Sequence, residues 1–128
     1  MSSGETVIEL STAFYMTVSN NRLLMETEAQ FFVGQLIHHK KFDYRGVIVD
    51  VDATFQGTDE WYELVARSRP PKDKPWYHVL VDNADNMTYV AERHLEASAN
   101  KEPINHPTID RFFHDFQNGT YRARRNTN

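Results

Sequence analysis

At 128 residues, with 40% hydrophobic and 25% charged side chains, the chain holds material for one core and no second lobe. The absence of cysteine excludes disulfides, thiol catalysis and thiolate-held zinc, and it fits a cytoplasmic address. A formal net charge of −4 weighs against nucleic acid as the main partner, because a domain that grips DNA by releasing counterions is normally basic.

Residues 1–30 carry four glutamates against one arginine, whereas residues 98–128 carry five basic and three acidic side chains. In the first segment Val7, Ile8, Leu10, Phe14, Met16 and Val18 hold neither a helical nor a strand period. Met25, followed by Glu26-Thr27-Glu28-Ala29-Gln30, makes a natural polar start, so much of residues 1–24 reads as an accessory extension, with a reading start at Met25 as the alternative. No apolar run is long enough to span a bilayer, and the opening lacks the basic start and apolar stretch of a signal peptide.

From Phe31 the pattern sharpens. Val33–His39 reads as a strand, with Gly34 letting the backbone turn closely at its entry. Lys40–Asp43 is a turn. Tyr44–Ala53 is a second strand with Val47, Val49 and Val51 on one face and Ile48, Asp50 and Asp52 on the other. Thr58 reads as the N-cap of a short helix, with Asp59 and Glu60 in its first turn and Trp61, Leu64 and Val65 as its apolar stripe. Pro70, Pro71 and Pro75 hold an extended approach to the strand Trp76–Val81. Residues 83–86 form a turn, Thr88–Ala91 the partner strand, and Glu92–Glu96 closes the barrel.

Ala97–Glu102 is a linker. Pro107 suits the first turn of a helix whose Ile109, Phe112, Phe113 and Phe116 fall at i, i+3, i+4 and i+7, and which Gly119 stops. Arg122, Arg124 and Arg125 follow in a mobile polar tail. The predicted fold class is mainly β: a small SH3-like β-barrel with a short inserted helix and a C-terminal amphipathic helix. Its parts are an N-terminal extension at 1–30, the barrel at 31–97, and the linker, helix and basic tail at 98–128.

Catalytic chemistry finds little support. His38 and His39 are neighbours on a strand and point to opposite faces, while His78, His94, His106 and His114 fall in separate elements without metal-binding spacing. Asp50 and Asp52 share a face about 7 Å apart, close enough to hold a cation or to work as an acid–base pair. Solvated outward carboxylates account for them more simply, so neither a metal nor a cofactor is expected. No nucleophile elbow, Walker loop or glycine fingerprint is present, and no enzyme is predicted. Basic and aromatic residues interleave at Lys40, Lys41, Tyr44 and Arg45, then at Arg67, Arg69, Lys72, Lys74, Trp76 and Tyr77. If the first turn meets the proline-rich segment, they form a basic patch suited to nucleic acid. The stripe Ile109, Phe112, Phe113 and Phe116 either packs on its own domain or seals a subunit interface or partner contact.

Four stretches together resemble the HspQ/YccV family of bacterial heat-shock proteins, also described as hemimethylated-DNA-binding domains. They are Val33–His39, Tyr44–Asp52, the triplet Glu60-Trp61-Tyr62 and Pro75–Leu80. Tyr89–Glu92 and the His106-Pro107 helix start are similar too, and the likeness covers residues 31–118. The resemblance implies a cytoplasmic regulator that promotes turnover of selected proteins, the replication initiator among them, through a Lon-type protease under heat stress. It alternatively implies a hemimethylated-DNA-binding module, for which Lys40, Lys41, Tyr44, Arg45, Arg69, Lys72 and Lys74 are the candidate contacts. The resemblance brings no catalytic motif. The extension before Gly34 departs from the family's compact pattern.

Overall fold

The computed structural model describes residues 28–124, which fold as an antiparallel sheet with a hairpin and a helix on its outer side. Five strands make the sheet: β1 (Leu36–His39), β2 (Arg45–Asp52), β3 (Trp76–Val81), β4 (Met87–Ala91) and β5 (Leu95–Ala97), in the order β4-β3-β2-β1-β5. Although β4 and β5 lie at opposite edges, only a 3₁₀ turn at Glu92–His94 separates them in the chain. Five flat strands would span about 19 Å, whereas a three-residue 3₁₀ turn rises about 6 Å. The sheet must therefore curl until its edges approach. No ladder joins β4 to β5, so the predicted barrel is an open, curled sheet rather than a closed one.

Period-two alternation sorts the apolar side chains onto two faces. Ile37, Ile48, Tyr77, Val79, Val90 and Leu95 fill the inside of the curl. Leu36, Val47 and Leu80 pair across β1, β2 and β3 on the other face. A bulge between Ile48 and Asp50 interrupts the β2–β3 register and shifts the alternation. Val49 consequently packs with Val47, but Val51 packs with Ile48, so the predicted Val47-Val49-Val51 face breaks at its last member.

Helix α1 (Asp59–Val65) is capped as expected, with the Thr58 hydroxyl accepting from the Trp61 N–H at 3.0 Å. Its buried face differs from the prediction. Tyr62 is buried and donates its hydroxyl to the Pro70 carbonyl at 2.6 Å, so the proline-rich segment fixes how the helix sits. Leu64 and Val65 are left in water, 74% and 56% exposed. Under the helix, Tyr62, Trp76 and Ala91 form a cluster edged by Phe55, Trp61, Ala66 and Tyr89.

The largest departure lies at the C-terminal end. The predicted helix lasts one turn, α2 (Ile109–Phe112), and the chain then becomes a hairpin of β6 (Phe113–Gln117) and β7 (Thr120–Ala123). Asn118 and Gly119 turn it with φ of +54° and +78°, the two left-handed residues that a tight hairpin turn requires. Phe113 and Tyr121 are buried with Ile104 against Leu36, Val47 and Leu80, while Ile109, Phe112 and Phe116 pack beside them, part-buried. The predicted partner-binding stripe therefore covers the chain's own sheet. Residues 98–124 share a core with residues 36–80, and Arg122 and Arg124 of the basic tail are both bonded to the domain. Arg122 grips Asp115 with two bonds of 2.7 and 2.6 Å, and Arg124 donates to the Asp110 carbonyl at 2.6 Å.

The hairpin docks on the entry to β1, where Gln35 bridges Thr120 and the Tyr121 N–H donates to the Gly34 carbonyl at 3.0 Å. Gly34 sits at φ +96°, and a Cβ there would collide with the Tyr121 carbonyl oxygen. Residues 29 and 30 already belong to the domain, since Ala29 packs on the inner core and the Gln30 N–H donates to Glu92 Oε2 at 2.8 Å. The expectations for Met25 and residues 1–24 lie outside the described residues. No helix among the described residues is long and apolar enough to cross a membrane.

Candidate functional site

Two loops and one strand meet beside α1 to form a groove of about 460 Å³. Phe42 and Tyr44 come from the β1–β2 turn, Trp61 and Val65 from α1, and Met87 and Tyr89 from β4. His39 and His94 lie deeper, their rings stacked with centroids 5.7 Å apart. Burial, aided by the charges of His94, His38 and Lys41, lowers the His39 pKa to about 4, so the ring is neutral near pH 7. Its Nδ1 accepts from the backbone N–H groups of Lys41 and Phe42, which fixes the turn that forms one wall. Burial likewise lowers the His94 pKa.

Around the mouth the surface is apolar with a basic rim. Phe42, Val65 and Met87 are three of the six large hydrophobic side chains exposed among the described residues, and all three line this groove. Lys41 lies on one side, with its Nζ 5.7 Å from the centre of the Phe42 ring, and Arg67 lies on the other. Ser68 Oγ and His94 Nε2 are 2.9 Å apart, a contact that ties the 67–69 loop to the 3₁₀ turn.

The predicted patch is only partly assembled. Lys41 and Arg67 both line the groove, and Tyr44 forms wall, its hydroxyl 2.8 Å from Thr88 Oγ1. Arg45 is turned away: it pairs with Asp82 at 3.2 Å and donates to the carbonyls of Asn100, Glu102 and Pro103. Arg69 pairs with Glu63 at 2.6 Å, and Lys72 pairs with Asp59 at 3.2 Å while lying 4.3 Å above the Tyr62 ring. Lys40 and Lys74 are exposed. Trp76 and Tyr77 are buried in the core. Sequence reasoning did not bring in Val65 and Met87 as binding residues. The only signal for them was an apolar side chain at the end of a short helix and another next to a turn.

A family model described as hemimethylated DNA-binding protein YccV like matches residues 29–120. The chain belongs to the YccV-like family. The YccV-like match begins beside Gln30, whose N–H bonds to Glu92 of the 3₁₀ turn, and ends at Thr120, which bridges Gln35. The β6–β7 hairpin thus falls largely inside the family's own span, in keeping with its packing as part of the core.

Elsewhere on the outer face, the weighed aspartates have company. Asp50 stands opposite His78 in the β2–β3 register, and the ligand atoms of Asp50, Asp52 and His78 all lie within 4.8 Å of one another. The sequence places His78 in a separate element, and only the bulge at Val49 brings it level with Asp50.

Proposed function

We propose that this YccV-like domain is a non-catalytic interaction module that biases which proteins a Lon-type protease degrades under heat stress. It acts by holding an extended segment of a protein partner in the groove beside α1. The observation that carries this reading is the gathering of Phe42, Val65 and Met87 around one aromatic-walled groove. Exposed apolar side chains scattered singly need no explanation, but a cluster bordering a concavity is what a docking surface offers. Lys41 and Arg67 on the rim favour a segment with an apolar anchor and acidic flanks. The resemblance to heat-shock proteins supplies the protease as the downstream partner.

A second reading has one specific observation behind it. The family's description names hemimethylated DNA, and Lys41 with Arg67 beside Phe42 and Trp61 offers cations next to stacking faces. Against it stand the ion pairs that engage Arg45, Arg69 and Lys72.

The test compares two variants of the full chain. Val65→Glu with Met87→Glu is expected to abolish any effect of the protein on client degradation by a purified Lon-type protease, with an unchanged melting midpoint. Lys40→Glu with Lys74→Glu, two exposed cations outside the groove lining, should leave that effect largely intact. The reading fails if degradation ignores the groove variant. It also fails if the protein binds hemimethylated duplex tightly at physiological salt, loses this with the lysine variant, and leaves proteolysis untouched.

A further inference from the structure

Along β3 the outer-facing residues are Trp76, His78 and Leu80. Trp76 lies under α1 and Leu80 under the β6–β7 hairpin. His78 falls in the strip between these two covers, with Asp50 and Asp52 beside it. We infer that Asp50, Asp52 and His78 form a binding site for one divalent transition-metal ion of the zinc class, open to solvent on one side.

The geometry is that of a ligand set. Asp52 Oδ2 and His78 Nε2 lie 3.2 Å apart. That is long for a bond between charged partners, which usually falls at about 2.7–2.9 Å. It matches the edge between two donors each about 2.1 Å from one ion, which is roughly 3.0–3.5 Å. Asp52 is held in place by the Tyr89 hydroxyl, which donates to Oδ2 at 2.7 Å, the kind of outer contact that orients a metal-binding carboxylate. Asp50 uses one oxygen, Oδ1, to accept from the Val51 N–H at 2.9 Å, and its other oxygen is available. As the exposed member, Asp50 is the ligand that swings inward to close the set.

Charge points the same way. Among the described residues neither Asp50 nor Asp52 has a lysine or arginine within ion-pairing distance, so two neighbouring carboxylates face each other with a single imidazole between strands. His38 shows the contrast: both of its ring nitrogens are engaged at 2.7 Å by Asp43 and Glu96, one on each side, which leaves no nitrogen for an ion. One nitrogen and two oxygens suit zinc and its neighbours, while magnesium and calcium prefer oxygen alone. Three protein ligands leave at least one position for water or for a donor from a partner.

Tag-free, metal-stripped full-length protein titrated with zinc chloride should bind one ion per chain at this site, and excess magnesium should not displace it. Added zinc should raise the melting midpoint, since an ion that binds only the folded state stabilises it. Asp50→Asn and His78→Gln should each weaken binding at least ten-fold while the metal-free melting midpoint of Asp50→Asn stays that of the wild type. Asp50 is exposed, so its variant still tests the site if the His78 variant folds poorly. Absence of binding at millimolar zinc overturns the inference, and so does zinc affinity that Asp50→Asn and His78→Gln both leave unchanged. Neither result bears on the groove, whose lining excludes all three residues.

Discussion

The outer face of the sheet carries two covers, and they treat their apolar side chains in opposite ways. The β6–β7 hairpin buries Phe113 and Tyr121 and packs Ile109, Phe112 and Phe116 against Leu36, Val47 and Leu80. Helix α1 buries Tyr62 but leaves Leu64 and Val65 in water beside a groove. A hairpin fixed through Tyr121, whose N–H donates to the Gly34 carbonyl and whose hydroxyl accepts from the Ile104 N–H, has one way to sit. A seven-residue helix held by its cap and by one tyrosine can keep a face free for another molecule. Apolar content alone does not distinguish a core element from a docking element; what the chain bonds to does.

The sharpest way to break this contrast is truncation of the hairpin's core. Phe113→Ala should cost about 3–5 kcal/mol, read as a lowered urea midpoint, because a filled site under the cover becomes a cavity. Next comes Gly34→Ala. It places a Cβ against the Tyr121 carbonyl in left-handed backbone and should cost about 2 kcal/mol or more by thermal denaturation. On the helix side, Thr58→Ala removes the cap bond and should cost about 1 kcal/mol. Leu64→Ser and Val65→Ser should each stay within about 0.5 kcal/mol of the parent. If those two prove as damaging as Phe113→Ala, α1 is a core element and the contrast collapses.

Protons offer the mildest probe, at a pair that lies under neither cover. Hydrogen bonds that the His38 ring donates to Asp43 first and Glu96 second raise its pKa. The folded state then holds its proton more tightly than the unfolded state. The added stability is complete below the ordinary histidine pKa near 6.5 and is lost as pH rises through the elevated folded value. Melting curves across that window should show a small fall that His38→Gln removes, the modest size following from the exposure of both partners. His39 runs the other way. Its folded pKa of about 4 makes stability fall as pH drops from about 6.5 towards 4, over which only the unfolded state gains a proton. His94, His38 and Lys41 are the charged neighbours that add to this effect.

Much of the sheet was legible in the sequence. Alternation found β1 to β4, and Thr58 with its two acidic followers found the start of α1. The hairpin was hidden because Ile109, Phe112, Phe113 and Phe116 fit a helical period, so Asn118-Gly119 read as a helix stop rather than a hairpin turn. The face of Val51 was lost to a bulge, which no single-strand pattern announces. The groove that Lys41 and Arg67 both line does not include Arg45. The Arg45 partner Asp82 is a long-range neighbour in another strand's turn, and charge counting along the chain cannot supply that pairing. His78 beside Asp50 was missed for the same reason as Val51.

Gly34 and Tyr121 clasp each other from nearly opposite ends of the described chain. Contacts so distant in sequence form slowly, because a long loop must be closed before they return any stability. During synthesis, Leu36, Val47 and Leu80 therefore wait uncovered until the final hairpin has emerged. A nascent or C-terminally clipped molecule displays a sticky flank that the finished one conceals, a ready mark by which quality control can tell the two apart.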